Sequence, residues 1–183
     1  MEIRTSRLIL REIVADDWPA MLAYQSDPRY LRHYAWIERS EEDVRAFTRM
    51  LAGMRDADVP RRKFQLAITL LGDPTLIGNC GIRRKPDNEW EADIGYELHH
   101  EHWGRGYAME AIGAMVEFGF RDLGLHRVSA LCNAENERSW RVMERIGMKR
   151  EGLLREANYF KERWWDTLVY GVLRGEWQGS PRQ

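Results

Sequence analysis

The sequence has few of the features that mark disulfide-bonded or membrane-spanning proteins. Its 183 residues include two cysteines, Cys80 and Cys132, which are too few for a disulfide scaffold and form no CxxC pair. No apolar run approaches the roughly 20 residues that a bilayer-spanning helix needs. The N-terminus is charged and carries no apolar signal segment. Because so few cysteines suit a reducing compartment, we expect a cytoplasmic protein.

The sequence also lacks an excess of charge of one sign. Lys and Arg total 28 against 29 Asp and Glu, which gives a formal net charge of −1. This balance argues against a protein that grips a long stretch of nucleic acid, because such binding needs many cations on one surface. No internal repeat, low-complexity segment or Pro/Gly/Ser-rich linker divides the chain. We therefore expect a single domain over residues 1–183.

Hydrophobic periodicity predicts a mixture of strands and helices. Alternating or β-rich runs predict strands over residues 7–11, 64–71, 76–82, 92–98, 128–132, 148–155 and 164–173. Helical spacing predicts one helix that begins at Asp16 and Asp17 and ends at Pro28, and a second that begins at Ser40. Two more helices are expected over 108–119, before Gly124, and over 139–146. This order predicts an α+β fold with a mixed, mainly antiparallel central sheet flanked by about four helices.

One turn between a predicted strand and a predicted helix has the features of an anion site. Gly104 and Gly106 flank Arg105, and small residues let a ligand approach the backbone closely. The first amides of a helix have no partners within it, and the helix dipole favours negative charge there. A pyrophosphate group is the natural guest, although two glycines are equally compatible with a plain tight turn.

Two familiar phosphate-binding motifs are missing from this turn. A dinucleotide-binding G-x-G-x-x-G motif needs a third small residue where the chain has Met109, and no acidic residue ends the next predicted strand. A nucleotide P-loop needs Gly-Lys-Ser/Thr, which does not follow the glycines here. The turn alone leaves open which anion it binds.

Three segments of the sequence form a set that covers nearly the whole chain. One is IGYEL at 94–98 followed by HWGRGYAMEA at 102–111, and another is TSRLILR at 5–11. The third consists of Asn133, NERS at 136–139, VMERIGM at 142–148 and Glu151-Gly152. In that order they resemble the cofactor-binding, opening and downstream signatures of the GNAT superfamily of N-acetyltransferases, most closely its ribosomal-protein alanine acetyltransferase branch. Trp103 stands where the wider superfamily has Arg or Gln, as is usual in this branch.

The resemblance implies an enzyme that transfers an acetyl group from acetyl-CoA to a primary amine. The amine would be a protein N-terminus, such as that of a ribosomal protein, or a small molecule. The implied cofactor-binding residues are Leu98, Trp103, Gly104, Arg105, Gly106, Tyr107, Ala108 and Asn136. Backbone amides near the turn would hold the pyrophosphate, and main chain near Leu98 would pair with the pantetheine arm. The alternative is a catalytically weak acetyl-CoA-binding sensor or interaction module.

Acetyl transfer needs a base for the amine and an acid for the leaving thiolate. The resemblance makes Glu97 the expected general base; the alternative is a strand carboxylate that positions substrate or faces solvent. Met143 takes the place at which the superfamily often has a Tyr as acid, so Ser139 is the expected acid. Ser139 fits equally well as a helix cap, and the two roles are compatible. The absent Tyr is what favours the sensor alternative.

Several other residues carry weaker signals. The resemblance places an acceptor pocket beside aromatic residues, with simple packing as the alternative: Tyr30, Tyr34, Trp36, Tyr159 and Phe160. His99, His100 and His102 fit no zinc-ligand spacing, so we expect no metal. Cys132 lacks an obvious paired His and is expected to be a buried strand cysteine. We expect a monomer or homodimer without membrane or nucleic-acid partners.

Overall fold

The structure is a computed structural model that describes residues 1–57 and 59–179. These residues form one eight-stranded sheet and five α-helices. The strands are β1 (Glu2–Arg4), β2 (Leu8–Glu12), β3 (Lys63–Leu70), β4 (Asp73–Lys85), β5 (Asn88–Leu98), β6 (Arg127–Asn133), β7 (Lys149–Phe160) and β8 (Arg163–Leu173). The helices are α1 (Trp18–Gln25), α2 (Pro28–Leu31), α3 (Glu41–Gly53), α4 (Tyr107–Arg121) and α5 (Glu137–Arg145).

The strand order is β1-β2-β3-β4-β5-β6-β8-β7. Every neighbouring pair is antiparallel except β5 and β6, which are parallel. The prediction of an α+β fold with a mixed, mainly antiparallel sheet is therefore confirmed. The single parallel pair follows from the connection, because α4 crosses over the sheet between β5 and β6.

The parallel pair β5–β6 separates part of the way along. The pairing runs from Glu91 with Arg127 to Asp93 with Ser129 and is not continued in the described residues, although β5 extends to Leu98. On its other side, β5 stays paired with β4 as far as Leu98. The end of β5, from Ile94 to Leu98, therefore has one unpaired edge. A wedge-shaped gap opens between this part of β5 and β6.

Helices cover the sheet on both faces. Helix α4 buries Ala111, Ile112 and Met115 in a core cluster with sheet residues such as Ile82 and Ile94. On the other face, α1, α2 and α3 form a second cluster that includes Met21, Tyr24, Val44 and Leu51. The two layers hold the wedge between them, so side chains from both faces reach its mouth.

Several boundaries differ from the predictions, and strand β1 and helix α2 were not predicted. Helix α1 ends at Gln25, and Pro28 begins the short helix α2 rather than ending α1. The Asp27 side chain accepts a hydrogen bond of 2.8 Å from the Arg29 amide and caps α2, where a first-position proline is tolerated because its missing N–H needs no partner. Strand β7 extends through residues 158–160, which were expected to lie in a connection. The hairpin turn is limited to Lys161 and Glu162.

Candidate active site

Two cavities meet at the mouth of the wedge. The sheet-side cavity, of about 450 Å³, is bounded by α3, the sheet face and β6. The turn-side cavity, of about 390 Å³, is bounded by the Trp103–Ala108 turn and α5. Six residues line both cavities, and we call them the junction: His33, Tyr34, Tyr96, Glu97, Asn136 and Ser139. Molecules bound in the two cavities would meet beside these side chains.

The turn-side cavity includes the turn that the sequence singled out. Gly106 has a φ of +80° and precedes the first residue of α4, a conformation that favours glycine. Trp103 donates its indole N–H to the Leu98 carbonyl at 2.8 Å, which ties the turn to the end of β5. The start of the 15-residue helix α4 therefore faces the cavity with amides that have no partner within the helix.

Most of the predicted cofactor-binding residues line the turn-side cavity. These are Leu98, Trp103, Gly104, Gly106, Tyr107, Ala108 and Asn136. Arg105 is not among the lining residues, and its carbonyl accepts a hydrogen bond of 3.0 Å from Arg7. The sequence reasoning missed four arginines that do line the cavity: Arg29, Arg138, Arg141 and Arg145. Their signal was present, because three of them recur at spacings of three and four on α5.

The N-terminal signature holds the start of α4 in place. Glu110 accepts hydrogen bonds from the Thr5 hydroxyl at 2.6 Å, the Ser6 hydroxyl at 2.9 Å and the Arg7 amide at 2.9 Å. The Arg7 side chain adds an ion pair at 2.7 Å. Burial alone would raise the pKa of Glu110, but these hydrogen bonds outweigh it and lower the pKa. The carboxylate therefore stays charged and anchors the turn.

Glu97 occupies the junction and is held by four donors. Its Oε2 accepts hydrogen bonds from Tyr24 at 3.1 Å, from Gln25 at 2.9 Å and from Asn79 at 2.9 Å. Its Oε1 accepts one from Tyr30 at 2.7 Å. The donors come from α1, α2 and β4, so three separate elements determine the position of this carboxylate.

The tyrosines around Glu97 act as hydrogen-bond donors. Burial, and then the negative charge of Glu97, raise the pKa of Tyr24 well above its ordinary value. The same causes raise the pKa of Tyr30. Both phenols therefore remain protonated near neutral pH and keep their O–H groups directed at the carboxylate.

The other side of the junction is formed by the start of α5. The Asn136 side-chain oxygen accepts a hydrogen bond of 3.2 Å from the Ser139 amide, so Asn136 caps the helix. The alternative that Ser139 is the cap is therefore wrong, because Ser139 lies inside the first turn. Its hydroxyl is 3.1 Å from the Tyr96 hydroxyl, and Tyr96 donates to the Ser139 carbonyl at 2.9 Å. Tyr96 was not among the predicted site residues, and Met143 is buried beside it in the sheet-side cavity wall.

The predicted acceptor-binding aromatics fall into two groups. Tyr30 lines the turn-side cavity and Tyr34 the junction. Tyr34 stacks between Tyr30 at 4.4 Å and Trp36 at 5.2 Å between ring centroids. Trp36 lines neither cavity, and the Arg39 guanidinium covers it at 4.3 Å. The stack therefore forms a wall in which the ring faces of Tyr34 and Trp36 are already covered.

The second aromatic group lies on the β7–β8 hairpin and lines neither cavity. Tyr159 is exposed and its ring centroid is 5.1 Å from that of Trp164. Phe160 stacks on Trp165 at 4.8 Å. Neither Tyr159 nor Phe160 lines a cavity wall, so their proposed contact with an acceptor gains no support from this geometry.

The remaining candidates from the sequence are Cys132 and the histidines before the turn. Cys132 lines the sheet-side cavity on β6, and burial raises the pKa of its thiol to about 11, which keeps it protonated. Among the histidines before the turn, His99 and His100 stack with 4.4 Å between ring centroids, and His102 meets His99 edge-on at 5.9 Å. Within residues 1–57 and 59–179, no three His, Cys, Asp or Glu side chains come together as metal ligands. In the same residues, no helix has the length and apolar character of a membrane span.

Comparisons with known proteins agree with this geometry. A family model described as an acetyltransferase (GNAT) domain matches residues 7–149. The Bacillus subtilis protein named "Uncharacterized N-acetyltransferase YnaD" is 34% identical over 177 residues, which cover 97% of this chain and 99% of the relative. The ribosomal-protein-serine acetyltransferase of Escherichia coli is 26% identical over 132 residues, which cover 72% of this chain and 71% of the relative. A crystal structure of a GNAT-family acetyltransferase from Bacillus anthracis matches with a TM-score of 0.84 at 31% identity, covering 96% of this chain and all of that one.

The family match spans most of the chain and includes the strand, turn and helix that form the turn-side cavity. The full-length relative is similar over nearly its entire length. The chain belongs to the GNAT family of acetyltransferases and is an acyl-CoA-dependent N-acetyltransferase.

Proposed function

We propose that the protein transfers the acetyl group of acetyl-CoA to a primary amine, with the cofactor in the turn-side cavity and the amine in the sheet-side cavity. The observation that carries this proposal is the junction, because both cavities open onto one carboxylate and one pair of hydroxyls. Holding two reactants in contact at such a place supplies much of the rate of a two-substrate reaction.

The turn-side cavity suits the anionic and extended shape of acetyl-CoA. Unpartnered amides at the start of α4 suit a pyrophosphate, and the arginines of α5 add positive charge opposite them. The unpaired edge of β5 next to Leu98 offers backbone groups to the amides of a pantetheine arm. The Asn136 side chain uses its oxygen as the helix cap and keeps its NH₂ group for a ligand at the junction.

In this proposal Glu97 is the general base. Oε1 accepts only one hydrogen bond from the described protein residues, so it keeps acceptor capacity for an ammonium group or for a water that carries the proton. The neutral amine then attacks the thioester carbonyl carbon, a C–N bond forms, and the C–S bond breaks. The four donors keep the carboxylate in one orientation during this step.

Ser139 is the proposed source of the proton that the leaving thiolate takes up. Its hydroxyl lies in the junction next to the hydroxyl of Tyr96. Tyr96 is protonated near neutral pH because burial raises its pKa, and its O–H donates to the Ser139 carbonyl, so its oxygen can accept a hydrogen bond from the Ser139 hydroxyl. Two adjacent hydroxyls take the place of the single helix Tyr that Met143 replaces.

We propose two acceptor classes. A protein N-terminus is one, because the Escherichia coli relative bears the name of a ribosomal-protein-serine acetyltransferase. A small amine is the other, because the sequence resemblance implies either kind of acceptor. The competing proposal of an acetyl-CoA sensor rests on Met143 alone.

Calorimetric titration with acetyl-CoA and a thiol-release assay with a panel of amines test the function. The proposal expects binding and amine-dependent release of one thiol for each amide formed. Binding without thiol release for any peptide N-terminus or small amine would favour the sensor. Absence of binding would overturn both.

A further inference from the structure

The floor of the sheet-side cavity is a row of polar side chains laid flat on the sheet. Gln65 lies across Gly81, since a Cβ atom added to Gly81 would be 2.0 Å from the Gln65 side-chain oxygen. The Arg83 guanidinium lies across Gly95 in the same way, 3.1 Å from where a Cβ would be. A side chain at Gly81 would displace this row, so glycine is required there for close approach.

Most of the hydrogen-bonding groups in this row are already used. Gln65 donates to Asn79 at 2.6 Å and accepts from Arg83 at 3.3 Å, while Asn79 donates to Glu97. Gln65 and Asn79 are buried, at 6% and 3% exposure. The row therefore forms a chain of hydrogen bonds that begins at Arg83 and ends at the junction carboxylate.

Arg83 is the residue of the row that keeps N–H groups without a partner in the described residues. It has five N–H groups. Two bond to Asp93, at 2.8 and 2.5 Å, and one bonds to Gln65. Within residues 1–57 and 59–179 the other two N–H groups have no partner, and the side chain is about one-third exposed in the cavity wall.

The mouth of the site is positive as well. Arg32 and Lys161 lie near His33 of the junction. The negative charge of Glu135 raises the pKa of His33, but Glu135 is paired with Arg163 at 2.9 Å. Burial first, and then the charge of Arg32, lower the pKa of His33. Asp93 offsets the charge of Arg83, so it is this rim that disfavours an acceptor with a second positive charge, while the two unpartnered N–H groups of Arg83 can still donate to an anionic group.

We propose that the acceptor is an amine whose chain also carries an anionic group, with the amine at Glu97 and the anion on Arg83. The separation follows from the sheet, because Gly95 lies two residues before Glu97 on the same face of β5, or roughly 7 Å away. This inference rests on the proposed function and narrows its substrate class. A free peptide or amino acid with that spacing meets the requirement, and so does a protein N-terminus with an acidic residue close behind it.

Matched pairs of acceptors test the inference. The first arm compares glycylglycine with glycylglycinamide. The second compares amidated hexapeptides that have Glu or Gln at the second position. For the wild-type protein we expect kcat/KM to be about tenfold higher for the charged member of at least one pair, as a charge-assisted hydrogen bond would give. Preference in the first arm alone identifies a small acid as the acceptor type, and preference in the second identifies a protein N-terminus.

Variants of Arg83 connect the preference to this side chain. Arg83→Gln is expected to bring the ratio of kcat/KM within each pair close to one, whatever its effect on the rate with the neutral member. Arg83→Lys keeps the charge and is expected to restore part of the preference. Arg84→Gln is the matched control, because Arg84 lies on the opposite face of β4 and bonds to the carbonyls of Glu89 and Leu123.

Several results would overturn the inference. One is equal use of charged and neutral acceptors by the wild-type protein, and another is a preference that survives in Arg83→Gln. Turnover of none of the four acceptors, with acetyl-CoA binding intact by calorimetry, would also reject it. That last result would leave the cofactor half of the proposed function standing, so the two failures are distinguishable.

Discussion

Asn79 donates a hydrogen bond of 2.9 Å to the Glu97 carboxylate from the strand beside it, and the two residues are register partners in the sheet. Asn79 is 3% exposed and also donates to the Tyr24 hydroxyl at 2.9 Å. One buried amide thus links the carboxylate to a tyrosine that supports it from α1.

Replacing Asn79 by alanine is expected to lower kcat by about tenfold without changing the KM for acetyl-CoA, because Glu97 loses a fixed donor. Steady-state kinetics measure this effect. Thr48→Val is the matched control, since Thr48 is a buried polar residue that bonds to the Val44 carbonyl and not to the site. Both variants should lose stability, and only Asn79→Ala should lose turnover. A similar loss of turnover in both would assign Asn79 a purely structural role.

The turn before α4 makes a prediction about cofactor binding. Gly106 has a φ of +80°, so Gly106→Ala is expected to destabilise the fold by about 1–2 kcal/mol and to weaken acetyl-CoA binding. Calorimetry and thermal unfolding measure the two effects. Gly175→Ala is the control, because Gly175 has open space around its Cα and lies outside both cavities. Unchanged affinity in Gly106→Ala would contradict the placement of the cofactor.

Two substitutions at the start of α5 are expected to affect different quantities, one the stability of the fold and the other the rate of catalysis. Asn136 caps the helix, so Asn136→Ala is expected to cost about 1 kcal/mol of unfolding free energy. Ser139→Ala is expected to lower kcat and to change the unfolding free energy by less than about 0.5 kcal/mol. Denaturant titration and steady-state kinetics measure both quantities. Unchanged turnover in Ser139→Ala would remove Ser139 from the mechanism.

Glu110, which anchors the start of α4, predicts a pH dependence of thermal stability. The pKa of Glu110 is lowered in the folded protein, so its contribution to stability is present above its ordinary value and is lost as pH falls through the folded pKa. Glu110→Gln should therefore melt roughly 3 °C below the wild-type protein at pH 7, and the gap should narrow below about pH 4.5. Thermal unfolding over pH 3–8 measures the gap. A gap of constant size would show that the charge of Glu110 is not what anchors the turn.

The parts of the fold that sequence alone predicted are those set by local patterns. Strand alternation, the Ser40 helix start and the Gly104–Gly106 turn each depend on residues that are close in the chain. The Pro28 boundary was mistaken because a proline can begin a helix as well as end one. Ser139 was considered as the cap of α5, but Asn136 three residues earlier takes that position.

The junction itself could not be predicted from the sequence. Glu97 is held by donors that lie 18 to 73 positions away in the chain, and no local pattern links them. Arg83 and Gln65 likewise meet only through the register of β3 and β4. The wedge arises because β5 and β6 part after three paired residues, and no local sequence pattern marks that point.

The central claim is that acetyl transfer takes place beside Glu97, where the two cavities meet. The most direct measurement follows thiol release by Glu97→Gln with saturating acetyl-CoA and an acceptor that the wild-type protein uses, from pH 6 to 9. Our account predicts unchanged acetyl-CoA affinity and a rate at least about 100-fold lower near neutral pH, because the amine is no longer deprotonated. A variant that kept the wild-type rate across this pH range would contradict it.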